Sequence, residues 1–473
     1  MGWDEYLGTL TAQIRSRTAR EEVRQEIRNH LEDQAEAYEA EGMTREEARS
    51  QAVLDMGDPV SVGIDLDRIH RPKMAWKAVA IIGLLSLAGL LIQYLCFWGI
   101  DGRGLSGETV RLMEPVISRG MFIRQCIYTA AGFGVMLLVC MADYSRLAHL
   151  ARPMAALWLA GLVLLCMSRV IYRLNGSFSY MKALQYVFIP LYGGILYQYR
   201  GLGWQGIWVS LAWLGAAGSV GLFFLGGGIS VTAVMLLVCY GMLLAVIGMG
   251  WMGIPKGKGL FVCGAVIPAV IVIVVLFNLK PYQWGRLQVI FFPETYGAEA
   301  GWIPLRVREM VSHLTLFGEE LERLVSENRF PGSLPGAQYD YMLLQIASLY
   351  GLAAAGALVA AMAGLYAYLF YLVMRQKNQM GRLVGGGCVL LLAVELVQSV
   401  LINLGYFVIA SGGLPFLASG GSHILAIYVL LGVLLSIYRY QNLVWERFSG
   451  RKAETGVIFR LGRYRVRIEK RPE

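Results

Sequence analysis

Residues 75–98 read AWKAVAIIGLLSLAGLLIQYLCFW. Lys77, near the leading edge, is the one charge in the run, and apolar residues occur on every side of the helix that such a run would form. A helix needs about 20 apolar residues to cross roughly 30 Å of hydrocarbon, so this stretch predicts a membrane span. Nine more follow at roughly 121–142, 154–172, 183–199, 205–225, 229–252, 259–280, 341–373, 384–410 and 421–440. The fourth is short, and only Gly226-Gly227-Gly228 part the fifth from the sixth. Composition agrees: 56% of the 473 residues are hydrophobic, 16% are charged and the mean hydropathy is +0.52. Soluble domains carry about 25% charged residues. An ordinary cytosolic enzyme is therefore excluded, and the 56 glycines show no collagen-like period. The expected fold is an all-α polytopic membrane bundle of about ten transmembrane helices.

Charge divides the chain. Residues 1–73 hold 10 Lys/Arg against 16 Asp/Glu, and the remainder 32 against 17. Residues 1–73 predict a small helical domain. Val23, Ile27 and Leu31 form the apolar stripe of a long polar helix, Gly42 stops it, and Thr44 with Glu47 opens the next as a capping box ending near Gly57-Asp58-Pro59. The stretch 42–59, GMTREEARSQAVLDMGDP, resembles the prefix domain ahead of some bacterial permeases, which implies a cytoplasmic accessory module. The charged N-terminus lacks the apolar core of a cleavable signal peptide. Residues 441–473 form a basic tail in which GVIFRLGRYRVRIEK, 456–470, alternates like a small hairpin.

Orientation follows from the short loops, because Lys and Arg are retained on the cytoplasmic side. Arg71 and Lys73, Arg146 and Arg152, Arg200, Lys256 and Lys258, then Arg375, Lys377 and Arg382 occupy alternate connections, and the tail adds Arg439, Arg447 and Arg451 among others. Both termini are expected in the cytoplasm; Arg173 and Lys182 fit less well. The loop 281–340 then lies outside, and a loop that long in a tight protein is usually functional. Val307, Met310, Val311, Leu314, Phe317, Leu321 and Leu324 recur in it at helical spacing. That pattern suits an amphipathic helix at the outer leaflet or a lid packed on the bundle.

Other chemistries find no motif. The seven cysteines sit in apolar runs without a CxxC pair, and the five histidines lack zinc spacing. There is no phosphate-binding loop, nucleophile elbow or dinucleotide fingerprint. No basic stripe with interleaved aromatics suggests nucleic acid.

Leu396 to Arg439 reads LVQSVLINLGYFVIASGGLPFLASGGSHILAIYVLLGVLLSIYR. Gln398, Asn403, Gly405, Pro415 with Phe416, and Ser419-Gly420-Gly421-Ser422 before an apolar span resemble, in that order, the signature of the SEDS family typified by RodA, FtsW and SpoVE. LPGAQYDYMLLQIASLYGL sets Pro335 and Asp340-Tyr341 in the register of the family's Pro…Asp-Phe opening, and PYQWGRLQVIFFPE carries over Arg286. The chain departs near span four, where FSYMKALQYVF offers only Lys182 for a Gln-Pro-Ser-Glu…Lys segment. It departs again between spans five and six, where LGGGISVTA replaces Gln-Pro-Asp-Leu-Gly. It is a divergent member.

The resemblance implies a peptidoglycan glycosyltransferase of elongation, division or sporulation, polymerising lipid II at the outer face of the bacterial cytoplasmic membrane. It also implies membrane lipids around it and a class B penicillin-binding transpeptidase beside it. An inverting transfer needs a base for the attacking 4-hydroxyl and positive charge for the departing pyrophosphate. Asp340, at the bundle mouth, is the expected base; its alternative is a helix N-cap. Arg286 suits the pyrophosphate or the steadying of Asp340; its alternative is to snorkel from span seven. Arg306 and Arg308 read as solvated loop charges. Lys182, Gln398, Pro415, Ser419, Gly420, Gly421 and Ser422 are the other substrate-binding candidates, the glycine turns serving as an anion nest or as simple close packing. His423 reads as an interfacial side chain that could hydrogen-bond substrate. Glu395, costly inside a span, is expected to pair with Gln398 or Arg169. No cofactor is required, a divalent cation being the one candidate. Two other functions stay open: a lipid-linked precursor flippase, and a non-catalytic scaffold or sensor whose prefix domain relays a cytoplasmic signal.

Overall fold

The computed structural model describes residues 2–15, 17–70, 73–101, 119–172, 178–224, 229–269, 288–289, 292–296, 301–334, 337, 339–376, 378–407, 413–417, 420–441, 458–461 and 464–467. Four helices open the chain: α1 (Trp3–Ala12), α2 (Arg17–Ala40), α3 (Arg45–Asp55) and α4 (Pro59–His70). They enclose their own core of Tyr6, Leu7, Leu10 and Ile14 against the α2 stripe Val23, Ile27 and Leu31. Gly42 turns the chain at φ 100°. The capping box forms: Thr44 Oγ1 accepts from Glu47 N–H at 3.4 Å, and Glu47 Oε2 accepts from Thr44 N–H at 3.2 Å. Helix α4 was not expected from the pattern.

The bundle follows as α5 (Trp76–Asp101), α6 (Arg119–Met141), α7 (Leu147–Tyr172), α8 (Phe188–Gln198), α9 (Gly203–Ser219), α10 (Ile229–Met249) and α11 (Lys256–Phe261). Over their described residues each of the ten expected spans coincides with helical structure, and seven helices among the described residues are long and apolar enough to cross a membrane. The fourth is short: α8 continues a 3₁₀ segment, Phe178–Val187, and Phe188–Leu196 are all buried. The fifth ends in a π-helical turn, Val220–Phe224. The seventh runs into residues outside the described ones. Leu84, Leu87 and Leu91 of α5 face outward, as side chains meeting lipid should.

Beyond the outer loop lie α12 (Trp302–Ser312), α13 (Leu321–Ser326), α14 (Met342–Tyr350), α15 (Leu352–Met374), α16 (Gln379–Asn403) and α17 (Gly421–Arg439). The expected continuous eighth span, 341–373, is broken. A straight helix of that length would measure about 50 Å, well beyond the hydrocarbon. Gly351, at φ 92°, ends α14 and starts α15. α16 and α17 form the buried centre. α17 packs closely on α6, where a Cβ on Gly132 would lie 2.5 Å from the Tyr428 ring. The tail forms the hairpin anticipated from its alternation, β1 (Ile458–Leu461) antiparallel to β2 (Tyr464–Arg467), with Ile458 opposite Arg467.

The two ends of α17 separate two faces. At its C-terminal end Lys73 N–H donates to the Arg439 carbonyl at 3.2 Å, and Tyr440 packs on the α1–α4 core. At its N-terminal end, about 28 Å away along 19 residues, lie the outer loop and the mouth of the bundle.

Candidate active site

Asp340 sits in the turn before α14, half-buried. The cap position of α14 belongs to Tyr341, and no side chain caps that helix. The N-cap alternative for Asp340 therefore fails. Among the described residues its carboxylate has no hydrogen-bond partner, which leaves it free to meet a substrate hydroxyl. Burial pushes its pKa up from 3.8 to about 6, and the nearby His423 pulls it down against that trend.

Its backbone is fixed by Asn403, at the end of α16. Asn403 Nδ2 donates to the Asp340 carbonyl at 2.9 Å and to the Ser399 carbonyl at 2.8 Å, while its Oδ1 accepts from Leu344 N–H at 2.8 Å. All its hydrogen-bonding groups but one lone pair are thus engaged, each bond worth about 1 kcal/mol net. Asn403 was legible as part of the family pattern, yet nothing in the sequence marked it as the residue that holds the carboxylate's turn.

The outer loop covers this turn. Val307 and Met310 of α12 are buried with Leu334, Ala337, Tyr341, Leu344 and Ile402, each large side chain contributing about 1.5–3 kcal/mol. The lid alternative is the correct one. The single amphipathic helix is not, because the chain leaves helix after Ser312 and Phe317 is 82% exposed. Arg308 is no solvated charge: its Nε donates to the Gly405 carbonyl at 3.0 Å and its guanidinium lies 4.9 Å from the Tyr406 ring centroid. Arg306 instead pairs with Glu309 at 2.6 Å. Beneath the lid is a cleft of about 380 Å³ lined by Val311, Leu314, Leu344, Ala347 and Val359 among others, where Asn403 alone brings a polar side chain.

One sequence expectation for the interior needs correcting, and one partner was not foreseen. Glu395 Oε1 lies 3.0 Å from His423 Nε2 across α16 and α17. His423 is correspondingly not interfacial but buried, 5% exposed. The two residues are 28 apart in sequence, and only the rotation of two helices brings them together.

The remaining candidates divide. Pro415 is buried in a turn, 414–417, closed by Leu417 N–H donating to the Leu414 carbonyl. That turn presses on α5, where Gln93 Nε2 donates to the Leu417 carbonyl at 2.5 Å and any Cβ on Gly89 would strike the Phe416 carbonyl. Gly420, Gly421 and Ser422 start α17, and a Cβ on Gly421 would lie 3.0 Å from the Tyr128 ring. Close packing is thus the visible role of Gly421. Gln398 is buried in α16. Arg286, Ser419 and the side chains of Lys182 and Arg169 lie outside the described residues. No three His, Cys, Asp or Glu side chains among the described residues form a metal-holding group.

The family model described as FTSW_RODA_SPOVE, cell cycle protein, matches residues 210–443, which include Asp340, Asn403, Pro415 and His423. Just under half of the chain, residues 210–443, is thus similar to the FtsW/RodA/SpoVE family. A curated member, a probable peptidoglycan glycosyltransferase FtsW of Trichlorobacter lovleyi, is 25% identical over 178 residues, covering 38% of this chain and 46% of that protein. The chain spans less than half the length of that relative. Among solved structures, a chain of a peptidoglycan synthase complex that coordinates polymerisation and crosslinking aligns with TM-score 0.56 and 18% identity. The alignment covers 77% of this chain and 98% of that one. The rod shape determining protein RodA of Thermus thermophilus aligns with TM-score 0.48 and 15% identity over 78% and 97% of the two chains. The first of these alignments supports the shared fold.

Proposed function

We propose that this FtsW/RodA/SpoVE-like chain is an inverting glycosyltransferase that polymerises lipid II at the outer face of the bacterial cytoplasmic membrane. The observation that carries the reading is the Asp340 carboxylate: uncapped, half-buried, held by its own peptide and roofed by the lid. In the reaction Asp340 takes the proton of the acceptor's 4-hydroxyl as that oxygen bonds to the donor's anomeric carbon. The bond from that carbon to undecaprenyl pyrophosphate breaks, and the pyrophosphate leaves with the electron pair. The apolar cleft beside Asn403 suits the isoprenoid tail of such a substrate. Arg286 and Lys182 are the proposed partners of the pyrophosphate. Gln398, Pro415, Ser419, Gly420, Gly421 and Ser422 shape the floor on which the sugars rest. A divalent cation, where one takes part, arrives with the pyrophosphate.

The same reading assigns residues 1–73 as a cytoplasmic prefix domain, 74–440 as the membrane domain and 441–473 as a basic cytoplasmic tail near anionic lipid. It also pairs the chain with a class B penicillin-binding transpeptidase, by analogy with the synthase complex that shares its fold.

The test is lipid II polymerisation by the purified full-length protein, with and without that transpeptidase, for wild type and Asp340→Asn. A base contributes about 10²–10⁴ in rate, so the variant should lose activity by that factor while folding normally. Glycan strands from Asp340→Asn at the wild-type rate would refute the role of the carboxylate. No strands from folded wild type with its partner would favour the scaffold or flippase.

A further inference from the structure

From Tyr144 to Pro293 the chain holds no Asp or Glu, while Arg146, Arg152, Arg200, Lys256 and Lys258 stand near helix ends within that stretch. The fold gathers three of these cations. Gly201 N–H donates to the Trp251 carbonyl and Gly203 N–H to the Met252 carbonyl, both at 2.8 Å. These bonds fasten the turn between α8 and α9 to the turn between α10 and α11. Gly201 and Gly253, at φ 77° and 72°, let the two turns touch: a Cβ on Gly253 would lie 3.8 Å from the Gly201 Cα.

Aromatic rings of the joined turns hold the arginines. The Arg200 guanidinium lies 4.2 Å from the Tyr197 ring centroid and 5.6 Å from that of Trp251, and those two rings meet edge to face at 6.0 Å. Arg152, from the first turns of α7, lies 5.7 Å from the Tyr199 ring. Lys256 reaches back over Gly250, where a Cβ would stand 3.1 Å from the lysine Cε. Stacking engages the face of a guanidinium, whereas phosphate is recognised by its N–H edge. Arg152 and Lys256 are exposed and have no ion-pair partner among the described residues. The carboxylate just before the stretch, Asp143, is taken up by Ser145 N–H at 2.9 Å.

Two membrane spans end at this cluster. Ser230–Met249 stops just before the second turn, and Tyr144–Leu165 starts beside Arg152. The cations therefore lie where helices leave hydrocarbon, at the depth of lipid headgroups. Leu202, Trp204 and Trp208, at the start of α9, are exposed, and indoles favour that depth. Unbalanced positive charge next to open apolar surface fits a molecule with an anionic phosphate at one end and acyl chains at the other.

We propose that Arg152, Arg200 and Lys256 bind the phosphate of an anionic diacyl phospholipid, with Trp204 and Trp208 beside its acyl chains. Bound there, one phosphate neutralises cations carried by α7, the α8–α9 turn and α11, and so ties these elements together. The site is on the face of the α1–α4 domain, since the Ala142 carbonyl just before α7 accepts from Ser436 Oγ near the C-terminal end of α17. It is independent of the role of Asp340.

The experiment measures phosphatidylglycerol binding to delipidated full-length protein by native mass spectrometry, with phosphatidylcholine and inorganic phosphate as comparison ligands. A cation near a lipid phosphate is worth about fivefold in affinity. Arg152→Gln combined with Lys256→Gln should therefore weaken phosphatidylglycerol binding by more than about tenfold and leave phosphatidylcholine binding unchanged. Arg375→Gln combined with Arg382→Gln removes the same charge from the ends of α15 and α16 and should leave both unchanged. Undiminished phosphatidylglycerol binding in the first variant overturns the proposal. An equal loss in the second overturns it too, because the attraction would then be to basic surface in general. Displacement of the lipid by an equal concentration of inorganic phosphate would assign the cations to a free anion and overturn the lipid. Should the first variant not fold, wild type decides alone. Its phosphatidylglycerol binding should weaken steadily as salt rises, and binding indifferent to salt overturns the proposal.

Discussion

At the scale of single residues, a carboxyl that is useful for being buried also weakens the fold. Asp340 takes up its proton near 6 in the folded chain and near 3.8 in an unfolded one. Below the lower value it is neutral in both states and burial costs nothing. As pH rises between the two values the unfolded state ionises first, so stability falls. Above about 6 the full cost is present, on the order of 3 kcal/mol. Asp340→Asn should therefore raise the melting temperature in detergent at pH 7.5 and leave it unchanged at pH 3.5. A gain of equal size at both would mean that amide packing, not charge, is responsible. Asp340 was singled out in the sequence by the register of the family's Pro…Asp-Phe opening, just before an apolar span. The Glu395–His423 pair was not, because each residue taken alone has a bland explanation. Which of several polar groups Glu395 meets depends on how α16 and α17 are rotated, and no local pattern encodes that angle.

At the scale of elements, the join between α14 and α15 is a built feature. The outer loop is strapped across it: Leu352 N–H donates to the Thr315 carbonyl at 3.0 Å, Ala353 N–H to Leu316 at 3.2 Å, and Glu319 N–H to Ser348 at 3.0 Å. Gly318 and Gly351 both have positive φ, 85° and 92°, and a Cβ on either would strike the backbone of the other strap segment. Gly351→Ala or Gly318→Ala should cost about 1–3 kcal/mol from backbone strain alone, read as a lower melting temperature and faster proteolysis of the loop. The control Gly356→Ala, in open space on α15, should do neither. An isolated glycine inside an apolar run reads as tolerated helix, so span eight looked continuous until its length was weighed against the bilayer. The lid shows a similar limit. Val307, Met310 and Leu324 of the apolar stripe are buried, while Phe317 continued the same spacing yet is exposed. Periodicity shows that a face exists; it does not show where the helix carrying it stops.

At the scale of the whole molecule, the α1–α4 domain and the end of α17 share one face, and Asp340 with the lid occupies the other. The arginine and lysine distribution predicts that the first face is cytoplasmic. Of the six described cysteines, five are buried and Cys126 is half-buried, so background labelling should be low. A membrane-impermeant maleimide applied to intact cells should label Phe317→Cys on the lid and spare Ser50→Cys on α3; permeabilised cells should label both. The reverse pattern would invert the molecule and place Asp340 away from any outer-leaflet donor. The hydrophobic runs made the helical membrane bundle legible in advance. The tertiary contacts that join the two chain ends were not, because they link residues several hundred positions apart.

Arg308 grips Gly405 and Asn403 grips Asp340, two fastenings set two residues apart on the end of a single helix. Cover and carboxylate therefore turn on one pivot. On the proposed reading of Asp340 as base, whatever takes hold of the lid also pulls on the joint that holds the carboxylate, gearing the loop's surface to the site beneath it.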